Sequence, residues 1–267
     1  MASRDDKRAR RERAEQMRKE RERQEKRRRN VITAAVVAVV LVVIAGAGFA
    51  VKAAVDNSAD DPARTPEGLT EDGGIALTAT DVGGTAAADP VKVTLFEDFA
   101  CPHCKAFEEE AGSWIDEQVA AGAIDVEFRP VAFLTDFSGD AMGSALCVFE
   151  DAGAKAYRDY SELVFANQPT EGGNLDEKDF VDMAEQAGAT GAADCIKGRP
   201  FRDFADLNGE ATKAAFDQED SEGNKLSGTP TVWVNGTTLN GPEDADGNPT
   251  VPGLADLQKA VEAAKAG

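Results

Sequence analysis

An uncharged run, VITAAVVAVVLVVIAGAGFAV at residues 31–51, constrains this chain more than any other feature. At ~1.5 Å of rise per helical residue, its 21 residues are long enough to span a bilayer's hydrocarbon layer of ~30 Å. The run is expected to be one transmembrane helix. A cleaved leader has an apolar region of about 7–15 residues; this run is longer and follows thirty charged and polar residues, which favours an uncleaved signal anchor. Small residues at Ala45 and Ala47 leave cleavage open. A buried core helix is the competing reading, but nothing amphipathic precedes the run to cover it.

Charge orients the span. Residues 1–30 carry 14 Lys and Arg against 7 Asp and Glu, whereas residues 52–267 carry 15 against 42. The net charge therefore moves from +7 to −27 across the span. The basic flank ends in KRRRN and is expected to stay cytoplasmic, leaving the acidic part outside. In KRARRERAEQMRKERERQEKRRR the mixed charges fit a solvated topogenic helix better than a nucleic-acid or lipid-binding arm. The acidic part repels phosphates, which argues against a nucleic-acid partner.

The chain thus divides into a cytoplasmic charged segment (1–30), a transmembrane signal anchor (31–51), a linker (52–74) and a folded domain (75–267). The linker is rich in Asp, Pro and Gly without a repeating apolar face. Residues 74–90 alternate weakly and are expected to supply a short first strand. VKVTLFEDF (91–99) reads as a buried strand, FEEEAGSWIDEQVAAG as a helix and IDVEFRPVAFL (124–134) as a strand, a βαβ unit with a parallel pair. Helical spacing then dominates a helical insert at about 138–217, in four stretches: 139–153, 155–168, 176–188 and 192–216. GTPTVWVNGTTLNG (228–241) reads as two strands round an Asn235-Gly236 turn, and 253–265 as a closing amphipathic helix. The fold class is α/β.

Between the strand at 91–99 and the helix after it stands CPHC, holding Cys101 and Cys104 and enclosing Pro102 and His103, the sole histidine. Outside the membrane disulfides persist, so the four cysteines, with Cys147 and Cys195, are informative as two pairs. A closed zinc site needs four ligands, and one CxxC with its histidine trapped inside is a poor set, so no metal is expected. A Cu(I) carrier using two thiolates is a separate possibility. A CxxC ring closes too short a loop to be a good staple. A reactive centre fits best. Cys101, just ahead of a helix, is near unsatisfied N–H groups and the positive end of the helix dipole, so its thiolate is favoured. Cys101 is expected to be the exposed nucleophile and Cys104 its buried partner. Pro102 suits the first helical position, and His103 is expected to add a positive charge or an N–H donor. Stabilising the dithiol makes the disulfide the stronger oxidant.

The order strand, CPHC, helix, strand, helical insert, GTPTVWVNG and last helix resembles the thioredoxin fold of DsbA-like thiol:disulfide oxidoreductases. The likeness covers roughly 75–266 and extends to the membrane-anchored members of high-GC Gram-positive bacteria. It implies that Thr229 and Pro230 form a cis-proline loop that binds substrate beside the CxxC. It implies no cofactor, and as partners reduced, unfolded exported proteins and a quinone-linked membrane reoxidase of the DsbB or vitamin K epoxide reductase type. A reductase or isomerase of the same fold is the alternative. Relatives often hold a buried acid six residues before the first cysteine; here that position is Leu95, with Glu97 and Asp98 nearer. Phe99, Phe107, Trp114 and Trp233 are candidates for a substrate groove, though a core role suits most of them. Cys147 and Cys195, if joined, close a loop worth about 4 kcal/mol by chain entropy and are the expected structural disulfide.

Overall fold

A computed structural model describes residues 64–170, 173–216, 226, 228–245 and 248–266. The charged N-terminus, the 31–51 run and the first part of the linker lie outside the described residues. Among the described residues no helix is long and apolar enough to cross a membrane.

The elements are β1 (Ile75–Leu77), a 3-10 turn (Ala79–Val82), β2 (Val91–Glu97), α1 (Pro102–Ala120), β3 (Ile124–Pro130), α2 (Asp136–Ala166), α3 (Glu177–Gln186), α4 (Ala193–Gly198), α5 (Arg202–Ala215), β4 (Thr231–Val234), β5 (Thr237–Leu239) and α6 (Leu254–Ala266). The strands form one mixed sheet in the order β1-β3-β2-β4-β5. β2 pairs parallel with β3 from Val91↔Ile124 to Glu97↔Pro130, as a βαβ crossover through α1 requires. β4 pairs antiparallel with the other side of β2, so the end of β2 lies beside the start of β4. The β4–β5 hairpin turns at Asn235 and Gly236, whose φ values of 47° and 79° suit a tight primed turn.

Val93, Leu95, Ile115, Val119, Ile124, Val126, Leu257 and Val261 form a continuous core between the sheet, α1 and α6. Burying each contributes on the order of 1.5–3 kcal/mol, so the sheet and α1 form a firm base for whatever lies at their ends.

The insert is α2 to α5. The break expected near residue 153 is real: Gly153, at φ 82°, interrupts α2 with non-helical backbone. The stretch expected at 192–216 is instead two helices. Arg199 takes a left-handed conformation (φ 51°) as the cap of α4, and Pro200, lacking an N–H, follows it. β2 and β3 stop at Glu97 and Pro130, short of the predicted 99 and 134, because the residues beyond them build the site. A disulfide joins Cys147 of α2 to Cys195 of α4 across a sequence separation of 48.

Candidate active site

The chain leaves β2 through the turn Asp98–Cys101. Asp98 is fully buried, and its Oδ1 accepts the Ala100 N–H at 2.8 Å. Its Oδ2 accepts the N–H groups of Phe133 and Leu134 at 2.9 and 3.2 Å, and the Cys101 N–H donates to its carbonyl at 2.9 Å. Burial raises its pKa, opposed only in part by the Ser138 side chain and then by the backbone N–H groups of Phe133, Ala100 and Leu134. Asp98 therefore clamps the turn to the β3–α2 loop. Both Asp98 oxygens are thus engaged in holding the turn, whereas Glu97 keeps an oxygen without a hydrogen-bond partner among the described residues.

Cys101 is the N-cap of α1, Pro102 the first helical residue. Both Cys101 and Cys104 are free thiols. The Cys101 sulfur donates to the Thr229 carbonyl at 3.2 Å, and the Thr229–Pro230 peptide bond is cis. When Cys101 ionises, the Cys104 thiol is its principal stabiliser, followed by the Thr229 side chain and the backbone N–H groups of Cys104 and His103. Against burial they bring its pKa from 9.0 to about 5. Cys104 is pushed the other way, by burial first, then by giving its proton toward Cys101 and by the charge of Glu97. Near neutral pH the pair is one thiolate and one thiol.

Two expectations change. Cys101 is only 5% exposed, because the Thr229 loop and the insert flank it; it is the more accessible of the pair only in that Cys104 is at 0%. The His103 side chain is exposed, and among the described residues it makes no hydrogen bond to either sulfur. What reaches Cys101 is the His103 backbone N–H, a property of its place in the first helical turn.

Glu97, at the end of β2, is buried and faces Glu108 of α1. Glu97 Oε1 and Glu108 Oε1 are both buried without a hydrogen-bond donor among the described residues. Burial, then the Glu108 charge, push the Glu97 pKa well up, and Arg158 opposes them. Arg158 of α2, 2% exposed, donates through Nη1 to Glu108 Oε2 at 2.6 Å and through Nε to Asp116 Oδ1 at 2.8 Å. Its Nη2 is 3.2 Å from Glu162 Oε1. Gly112 makes room: a Cβ there would lie 2.7 Å from Arg158 Nη2 and 2.8 Å from Glu108 Oε2. A chain of charged groups thus runs from beneath Cys104 to the half-exposed Asp116 and Glu162.

This network escaped the sequence reading. Its signal is the i, i+4, i+8 spacing of Glu108, Gly112 and Asp116 on a helix, with Arg158 and Glu162 at i, i+4 on another. Gln168 was also missed. Its side-chain amide donates to the carbonyls of Phe99 and Cys101 at 2.7 and 3.0 Å. Of the groove candidates, Phe99 and Phe107 belong to the core, while Trp114 and Trp233 are only partly buried, the latter packing edge-on against Phe96 at 4.8 Å.

A parallel β2–α1–β3 unit with antiparallel β4, and a dithiol at the helix N-terminus opposite a cis X-Pro loop, define the class of thioredoxin-fold dithiol proteins. The chain belongs to the thioredoxin family, whose model matches residues 78–249, and is DsbA-like within it. The fold is similar to reduced DsbG, a disulfide bond oxidoreductase of Mycobacterium tuberculosis (25% identity, TM-score 0.52, 73% of this chain and 95% of that one). Oxidised DsbA from the same organism matches equally (25% identity, TM-score 0.52, 72% and 99%). MdbA, a thiol-disulfide oxidoreductase of Corynebacterium matruchotii, shares the fold (21% identity, TM-score 0.53, 63% and 83%). The serine/threonine-protein kinase PknE of Mycobacterium tuberculosis is 31% identical over 170 residues, 60% of this chain. The chain spans only 29% of that protein's length.

Proposed function

We propose that the protein is a membrane-anchored, extracytoplasmic thiol:disulfide oxidoreductase that introduces disulfides into reduced, unfolded exported proteins. The observation that carries this is the split ionisation of Cys101, at about 5, and Cys104, well above 9. A thiolate stabilised this strongly favours the reduced enzyme, so its disulfide takes electrons readily.

The cycle starts from the Cys101–Cys104 disulfide. A substrate thiolate attacks the Cys101 sulfur, a mixed disulfide forms, and Cys104 leaves with the electron pair and takes up a proton. Glu97, whose pKa is raised by burial and whose charge acts on Cys104, supplies that proton. A second substrate thiolate attacks the substrate sulfur of the mixed disulfide and releases Cys101 as thiolate. The substrate has lost two electrons, and the enzyme holds them as a dithiol. Thr229 and Pro230 border the sulfur where the substrate strand must lie. Reoxidation needs an acceptor, for which a quinone-linked membrane partner of the DsbB or vitamin K epoxide reductase type is the reading. The 31–51 run supports the anchor, and the flanking charges its orientation.

The full chain in detergent, equilibrated with glutathione buffers and assayed on a reduced, unfolded test protein, decides the direction. A potential near about −120 mV with turnover supports oxidation, whereas one near about −270 mV makes the chain a reductase or isomerase. Stoichiometric Cu(I) binding, lost in Cys101→Ser and without turnover, would make it a copper carrier.

A further inference from the structure

The C-terminal end of α2 and the residues just after it touch the redox turn and the start of α1 through three independent contacts. The rings of Phe99 and Phe165 are tilted together at 5.0 Å. Lys105 Nζ donates to the Ala166 carbonyl at 3.3 Å. Gln168 Nε2 donates to both the Phe99 carbonyl at 2.7 Å and the Cys101 carbonyl at 3.0 Å.

The local sequence aims that amide. Asn167 caps α2, and Pro169 biases Gln168 toward extended backbone, so the chain leaves the helix there and the side chain turns toward the redox turn. The electrostatics give the contact a purpose. The last carbonyls of α2 carry partial negative charge, and they face a turn that must hold a thiolate. The Lys105 ammonium and the Gln168 amide are the donors placed between the two. The Cys101 carbonyl also accepts the Lys105 backbone N–H at 3.2 Å, the first bond of α1, so Gln168 adds a second donor at the residue that starts the helix.

We propose that Gln168 is a positioning residue for the redox turn: by holding the Phe99 and Cys101 carbonyls it keeps the Cys101 sulfur at the N-terminus of α1, and so favours the reduced enzyme. The insert is then part of the redox device as well as its cover. This rests on Cys101 being the attacking thiolate, but its test needs no substrate, so it stands or falls apart from the direction of electron flow.

The test uses the full chain in detergent with Gln168→Met, which keeps length and bulk but removes both N–H groups, and Gln168→Glu, which puts acceptors and negative charge there. Three quantities are read: the ionisation of Cys101 by ultraviolet thiolate absorbance, the equilibrium with glutathione, and the melting of each redox form. The other titratable groups round Cys101 are Cys104, His103 and Lys105 on α1, Glu97 on β2 and Asp98 in the turn, and neither variant replaces any of them. Gln168→Met should move the Cys101 midpoint to higher pH and shift the glutathione equilibrium toward the disulfide by roughly fivefold, the net worth of about one hydrogen bond. Gln168→Glu should go further in the same direction. In both, the reduced form should lose more melting temperature than the oxidised. If both redox forms lose the same amount while midpoint and equilibrium stay at the parent values, Gln168 is only a structural latch and the proposal fails. Should Gln168→Met not fold, Gln168→Glu decides by the same readings.

Discussion

At the scale of the residue, two sulfurs three positions apart acquire opposite chemistry from one helix turn. Cys101 titrates at about 5, below the ~8.5 of an unfolded cysteine. Its thiolate therefore stabilises the reduced fold fully above about 8.5, and that contribution is lost as pH falls through about 5. Burial raises Glu97, which acts in the opposite sense, but Glu97 is present in both redox forms. The difference between reduced and oxidised forms should thus widen from acid to neutral pH, read by urea unfolding of both at about pH 4 and 7. An unchanged gap would mean that Cys101 is not acidic. Glu97→Gln removes the group charge-coupled to Cys104 and should slow closure of the Cys101–Cys104 disulfide by oxidised glutathione roughly 10²-fold. Stopped-flow kinetics check it, and an unaltered rate would place the proton route elsewhere. Of these roles, that of Cys101 was legible in the sequence, because a cysteine before a helix is a local arrangement. The His103 ring was expected to act and instead lies in solvent, since spacing along the chain does not say which way a first-turn side chain points.

At the scale of the element, α1 and α2 are joined across the core by Arg158 and its carboxylates. Arg158→Met should cost about 3–5 kcal/mol in chemical unfolding, because it leaves buried negative charge uncompensated. Adding Glu108→Gln should restore much of the loss. If the single variant proves neutral, the ion pair contributes nothing beyond its own desolvation. The Cys147–Cys195 bridge acts on the insert alone. Replacing both with Ala should lower stability by about 4 kcal/mol for its 48-residue separation while leaving the Cys101 titration unchanged. Strands, helices and the Asn235-Gly236 turn were readable because each is set by local periodicity or a local φ requirement. The split of 192–216 at Arg199 had a local signal in Gly198 and Pro200, which the helical spacing on either side of them overrode in the reading. The acid network was hidden for another reason: Glu108 and Arg158 are 50 positions apart, and each alone reads as a surface charge.

At the scale of the whole molecule, the 31–51 run and the charge reversal across it make a topological prediction. In intact cells, protease added outside should digest the acidic domain and spare the basic N-terminus, and alkaline washing should leave the chain with the membrane. Protection of the domain would reverse the orientation and remove the oxidising compartment on which the disulfide reading depends. The site itself is assembled from distant parts: β2 leads into the redox turn, the end of α2 and Gln168 hold that turn, and the loop before β4 contacts the Cys101 sulfur. The contact between the Cys101 sulfur and Thr229 spans 128 positions. Synthesis proceeds from the N-terminus, so the dithiol emerges long before the Thr229 loop that borders it, and non-local pairings of this kind form late. Until β4 docks against β2, Cys101 has only its own helix turn to favour a thiolate and lacks the Thr229 side chain. The dithiol site is therefore complete only when the last strand pair is in place, and a chain still being made carries its two thiols without the loop that will border them.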